Sequence, residues 1–150
     1  FLSLLREQKE VILQLNLPTK IPSVRADRNA AAFIMRNVLS NAIKFSHQGG
    51  TIYIDLVVGK EMAGFRIRDE GVGIPPHLLQ RLQEDESGES QLGTNDERGI
   101  GIGLHLSKLL IEQNKGVLTL QSEVGLGTSV EVQFPIVAKI VKHEHARIGS

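Results

Sequence analysis

The sequence has no cysteine. Disulfides, thiolate metal centres and a cysteine nucleophile are therefore excluded, and a reducing, cytoplasmic setting is expected. It has no apolar run approaching the roughly 20 residues that a membrane-spanning helix needs, so no direct insertion into a bilayer is expected. The opening residues Phe1 to Glu10, FLSLLREQKE, lack the basic start, apolar middle and small-residue cleavage site of a signal peptide. The chain opens without Met, which is expected of a piece of a longer protein, one that is free to carry its own membrane anchor. Net charge is also missing: Lys plus Arg is 17 and Asp plus Glu is 17. With neither a basic excess nor a basic run, nucleic acid is not the expected partner, because a phosphate backbone calls for a basic face.

What is present is an ordinary soluble balance, 41% hydrophobic and 23% charged over 150 residues. That suits one domain with one core. The pattern assigns residues 1–137 to this domain and 138–150 to a C-terminal tail. Leu2 to Glu10 reads as the end of a helix. Val11 to Leu17 alternates, which predicts a strand with Val11, Leu13, Leu15 and Leu17 on one face. Asp27 is placed to cap a helix from about Arg28 to Phe45. Thr51 to Val58 and Gly64 to Asp69 alternate again, with Ile52, Ile54, Leu56, Val58, Phe65 and Ile67 predicted inward. Pro75 and Pro76 open a short helix to about Gln83.

Glu84 to Glu97 is acidic and polar with a single large apolar residue, Leu92, and is expected to form a mobile loop. A helix is predicted from about Ile102 to Asn114, closed by Gly116. Val117 to Ser122 and Thr128 to Phe134 form a predicted hairpin across Gly125-Leu126-Gly127, with Val130, Val132 and Phe134 inward. Five strands and three main helices in this order predict an α+β fold, a two-layer sandwich with a mixed sheet covered by helices on one face.

Three stretches carry candidate chemistry. In the long helix, Asn37, Asn41 and Lys44 are spaced four and three apart, beside an apolar stripe of Ile34, Val38, Ala42 and Phe45. Asparagine is a poor helix former, and an amide oxygen is a suitable ligand for Mg²⁺, which needs few protein groups when phosphates supply the rest. Taken alone, this helix is better read as a solvated polar face. Next, Asp69-Glu70-Gly71-Val72-Gly73-Ile74-Pro75 follows a strand. A carboxylate at a strand end accepts hydrogen bonds and suits an exocyclic amino group, while glycines let a flat ring approach the backbone. A plain turn would also explain it. Finally, Gly99-Ile100-Gly101-Ile102-Gly103-Leu104 leads into a helix, where exposed amides and the helix dipole can hold phosphate. It could equally be a glycine-rich connector. It is not a P-loop, since G-x-x-x-x-G-K-[ST] is absent, and no strand precedes it as a dinucleotide fingerprint requires.

The order and spacing of these stretches resemble the GHKL superfamily of ATPases and kinases, and the histidine kinases best. Asn37 to Ser46 is similar to their N box, Asp69 to Pro76 to their G1 box, Gly93 to Leu104 and the helix after it to their G2 region, and Gln121 to Thr128 to their closing hairpin. The resemblance spans roughly residues 5–135. It implies the Bergerat fold, whose five-stranded sheet is mixed and mostly antiparallel. It also implies ATP and Mg²⁺ as cofactors, a dimerisation and phosphoacceptor domain as partner, and a response regulator receiver domain downstream. By position it implies Asn41 on Mg²⁺, Asn37 supporting the metal or a phosphate, Lys44 on phosphates and Phe45 near the base or ribose. Asp69 would bind adenine. Gly71, Gly73, Gly99, Gly101 and Gly103 would shape the pocket and its lid, with Ile74, Ile100, Ile102 and Leu104 beside them.

The resemblance has departures. Leu79 to Glu84 stands where the family carries an aromatic F box, and Ile100 stands where a threonine is usual. These leave open a degenerate nucleotide-binding module; a serine kinase of the same superfamily is a third alternative, from which the closing hairpin and the N-box residues lean away. Hydrolysing relatives place a glutamate base four residues before the magnesium asparagine; here that residue is Asn37, which cannot take a proton. None of His47, His77, His105, His143 and His145 lies in a phosphoacceptor motif, and His143-Glu144-His145 offers a metal only two imidazoles on a polar tail.

Overall fold

A computed structural model describes residues 2–84 and 95–137, and of residues 95–102 it describes the backbone. The elements run α1 (Leu2–Lys9), β1 (Ile12–Asn16), α2 (Arg28–Phe45), β2 (Thr51–Val58), β3 (Met62–Asp69), α3 (Pro76–Glu84), α4 (Asn95–Gln113), β4 (Val117–Glu123) and β5 (Gly127–Pro135). The five strands form one sheet in the order β1-β2-β3-β5-β4. β1 pairs parallel with β2, and the remaining pairs are antiparallel. This is the expected α+β sandwich with a mixed, mostly antiparallel sheet; α1 is the helix end read from Leu2 to Glu10, and it joins the three main helices.

Strand alternation sorts the two faces. Ile52, Phe65, Ile67, Val132 and Phe134 point to the helices and form the core with Ile34, Val38, Ala42 and Ile43 of α2 and Ile111 of α4. The opposite face is polar: Arg66 pairs with Glu131 at 2.6 Å, and the Arg68 guanidinium lies 4.6 Å over the Tyr53 ring. Alternation predicts Leu15, Leu17 and Val58 inward, but they are 60%, 58% and 50% exposed. β1 is an edge strand beside β2 alone, Leu17 lies past its end, and α2 packs over β3 rather than over the edge. A period of two sets which face a side chain takes, not whether a helix covers it.

The chain around α2 is stitched to the end of the sheet. Val24 and Ile136 form an isolated antiparallel bridge, Arg25 N–H donates to the Pro135 carbonyl at 2.7 Å, and Val137 N–H to the Ser23 carbonyl at 2.9 Å. None of the described helices is long and apolar enough to cross a membrane. The predicted loop falls mainly on residues 85–94, and the tail, with His143 and His145, on 138–150; both lie outside the described residues.

Candidate functional site

α2 forms where its sequence supplies a cap and a stripe. The Asp27 carboxylate accepts from Ala30 N–H at 2.8 Å, satisfying one of the unpaired amides at the helix start. Ala30, Ile34, Val38 and Ala42 recur at helical spacing and are buried. The helix ends at Ser46, whose hydroxyl donates to the Ala42 carbonyl at 2.7 Å. Lys9 of α1 reaches the same end, its ammonium donating to the Ser46 carbonyl at 2.9 Å and to the Lys44 carbonyl. A cation there complements the helix dipole. Beside the buried stripe, Asn37 and Asn41 are half-buried, and the Asn41 amide nitrogen donates to Asn37 Oδ1 at 3.5 Å. That leaves the Asn41 oxygen for another partner. Lys44 is exposed and does not line the cleft described below.

Asp69 ends β3 on the inward face and is 5% exposed. Its carboxylate accepts from Gly71 N–H at 2.9 Å and from the Thr128 backbone N–H. Burial raises its pKa above the ordinary carboxylate value, while those two hydrogen bonds and the nearby charge of His47 oppose the rise. The loop after Asp69 is pressed between two elements. Val72 N–H donates to the Phe45 carbonyl at 3.1 Å, and the Val72 carbonyl accepts from Gly125 N–H at 3.0 Å. A side chain at Gly71 would collide with the Phe45 carbonyl; one at Gly73, which has φ +74°, would collide with the Glu123 carbonyl.

Between these parts lies a cleft with about 490 Å³ of empty space, part of it open solvent. Asn41 and Phe45 of α2, Asp69, Ile74 and Leu104 line it, five of the residues singled out from sequence. Val38, Ala42, Ile67, Leu120, Thr128 and Val130 complete the lining and were not among the candidates. The signal for Ile67, Val130 and Leu120 was their alternation, which by itself reads as core. Their register places Ile67 opposite Val130 and Val130 opposite Leu120, one row away from Asp69 opposite Thr128. Ile74, Leu82, Leu104 and Leu120 form a second apolar cluster with Phe45, Leu78 and Leu79 packed on it. The segment without an F-box aromatic thus contributes leucines to the cluster beside the cleft.

The helix predicted from about Ile102 begins at Asn95 instead. Gly99, Ile100, Gly101 and Ile102 therefore have helical backbone and do not form a connector with open amides ahead of a helix. Leu104, Ser107 and Ile111 are buried and anchor the later turns, and extension from an anchored helix adds one hydrogen bond per residue. Gly103 lies against α2: a side chain there would strike the Asn37 carboxamide. Gly103 is thus brought to Asn37, whereas the side chains of Ile100 and Ile102 lie outside the described residues.

Chemically, the cleft is an apolar slot with a buried carboxylate at its base, the Thr128 hydroxyl beside it and one amide at α2. Among the described residues no group of three His, Asp or Glu could hold a metal, so a bound cation would need oxygens from a ligand as well. The fold is that of a class of α+β domains with a mixed five-stranded sheet under helices, and sequence comparison gives the family. Residues 26–138 match the family described as histidine kinase-, DNA gyrase B-, and HSP90-like ATPase, and the chain belongs to that family.

Among curated relatives, the chain is similar to the circadian input-output histidine kinase CikA of Synechococcus elongatus, at 34% identity over 131 residues, covering 84% of this chain and 17% of that protein. Sporulation kinase E of Bacillus subtilis is 32% identical over 127 residues, covering 84% of this chain and 16% of that protein. The chain thus spans about a sixth of the length of these relatives. Among solved structures, full-length ShkA in complex with AMPPNP superposes with a TM-score of 0.74 at 21% identity, covering 91% of this chain and 28% of that one. The catalytic domain of the histidine kinase ThkA superposes with a TM-score of 0.71 at 20% identity, covering 90% of this chain and 88% of that one. At those identities the likeness establishes the fold.

Proposed function

We propose that the chain is the ATP-binding catalytic domain of a sensor histidine protein kinase. It presents the γ-phosphate of ATP to a histidine on a separate dimerisation and phosphoacceptor domain, and a receiver domain takes the phosphoryl group from there. The buried Asp69 carboxylate at the base of an apolar cleft carries this reading. It accepts the exocyclic N–H of adenine, while Ile67, Ile74, Leu104 and Val130 exclude water from the ring. Guanine presents an oxygen at the same place, and two facing acceptors repel. The Asn41 oxygen fits Mg²⁺, and Asn37 holds the Asn41 amide; when bound, the ion neutralises phosphate charge. Lys44, exposed at the end of α2, is left as a long-range positive charge near the phosphates.

Phosphoryl transfer needs mainly positioning and charge stabilisation from the protein. Asn37, standing where hydrolysing relatives carry a glutamate, has no basic lone pair to deprotonate water. This favours a separate acceptor over hydrolysis. Calorimetry with ATP and GTP, with and without Mg²⁺, tests the binding half: ATP is bound and GTP is not, and Asn41→Ala loses the Mg²⁺-dependent part with the fold intact. Labelled ATP tests the transfer half: the chain alone gains no stable label, and adding the parent's acceptor domain produces an acid-labile one. Equal binding of ATP and GTP, or no label with the acceptor present, would overturn the respective half.

A further inference from the structure

We propose that Ser122, which does not line the cleft, sets the base selectivity of the site by fixing the Thr128 hydroxyl as an acceptor toward it. The inference rests on the nucleotide reading above and deepens it. Ser122 of β4 lies opposite Thr128 of β5, and Thr128 lies opposite Asp69 of β3. The three side chains therefore occupy one row across the helix-covered face, and Thr128 and Asp69 both line the cleft.

The Ser122 hydroxyl has three neighbours. It accepts from Ile74 N–H at 2.8 Å, donates to the Gly127 carbonyl at 3.0 Å, and lies 2.8 Å from Thr128 Oγ1. A hydroxyl carries one proton and two acceptor sites. A carbonyl only accepts, so the Ser122 proton is committed to Gly127. In the remaining contact Thr128 is the donor and Ser122 the acceptor. The Thr128 proton is thereby held toward Ser122, and its lone pairs are what it offers the cleft.

An incoming base consequently meets two acceptors, the Asp69 carboxylate and the Thr128 oxygen. An exocyclic amino group brings two N–H donors to that corner. A 6-oxo base brings an acceptor, which both residues refuse. Asp69 is fixed in this role by its charge, but Thr128 holds it only while Ser122 takes its proton. Without the Ser122 hydroxyl, Thr128 turns and donates to a 6-oxo group.

The test compares ATP with inosine triphosphate, which differs in the 6-oxo group and the N1 proton and lacks the 2-amino group of GTP. Calorimetric affinities are measured for the full chain, for Ser122→Ala and for Ser122→Thr, which keeps the hydroxyl. The wild type favours ATP; Ser122→Ala narrows the ATP-to-inosine ratio about tenfold, the scale of one hydrogen bond, and Ser122→Thr restores it. In a Thr128→Val background the Ser122→Ala substitution no longer moves the ratio. Ser122→Cys, close in shape, serves if the alanine variant fails to fold, and narrows the ratio in the same direction. A purely structural role, through the lost Ile74 bond, weakens both nucleotides equally; an unchanged ratio therefore overturns the proposal. A wild type that does not prefer ATP overturns the adenine assignment of Asp69 instead, so the two failures are told apart.

Discussion

α2 and α4 pack against each other over the same face of the sheet and are nearly equal in length, 18 and 19 residues. They hold their shapes for different reasons. α2 is capped at both ends, contains no glycine, and buries Ala30, Ile34, Val38, Ala42 and Ile43 along its length. Among the described side chains, α4 buries Leu104, Ser107 and Ile111 in its later turns. Its earlier part carries Gly99, Gly101 and Gly103, each costing about 1 kcal/mol relative to alanine in a helix interior. One wall of the cleft is thus fixed by its own sequence. The other is helical in spite of its glycines, and its backbone carries the higher intrinsic cost.

Removing an anchor from the fixed wall should have the largest effect. Ile34 is fully buried, and Ile34→Ala is expected to cost about 2–5 kcal/mol, read as a lower denaturant midpoint. A smaller loss than the same truncation at Ile111 of α4 would reverse the comparison. The glycine-bearing wall should respond in the opposite direction. Gly99→Ala with Gly101→Ala is expected to stabilise the helix by about 2 kcal/mol in total, seen as added helicity and a higher melting temperature. No gain in either would mean that this half of α4 is not helical in solution.

Gly103→Ala acts where the two walls touch. Its methyl displaces the Asn37 carboxamide and breaks the Asn37–Asn41 bond, while the helix propensity gained offsets the strain. Melting temperature should barely move, and Mg²⁺-dependent ATP affinity should fall about tenfold. Unchanged affinity would show that the Asn pair does not need this close approach. The smallest effect is expected at the base of the cleft. Asp69 has a pKa raised by burial, so its contribution to stability is complete below the unfolded carboxyl value near 4 and is lost as pH rises through the higher folded value. Asp69→Asn, which cannot ionise, should therefore melt slightly higher than the wild type at neutral pH and converge with it in acid. A gap that widens in acid would reverse the sign.

The sequence made α2 readable to the residue, because Asp27 as cap and the stripe from Ile34 to Ala42 are local signals that agree with the tertiary packing. It made Asp69 readable as a strand-end carboxylate among glycines. It hid the sheet side of the cleft: Ile67, Leu120 and Val130 look like any buried strand residue until register brings them beside Asp69. It also hid Ser122, whose importance lies in three hydrogen bonds to residues 48, 5 and 6 positions away. The start of α4 at Asn95 is not legible in the sequence, because glycine content is a local property and helix extension depends on the turns that follow.

The bridge between Val24 and Ile136 gives the domain a clasp. The segment that leads into the capped start of α2 is fastened by the last described residues, through Arg25 to Pro135 and Val137 to Ser23. Residues 135–137 are thus part of the wall that holds the cleft, although they line no part of it. A chain ended at Phe134 would keep all five strands paired and lose the fastening of α2's first turn. Loosening would begin there, at the Asp27 cap, and amide exchange at Ala30 and Ala31 would register it before any change at Asp69.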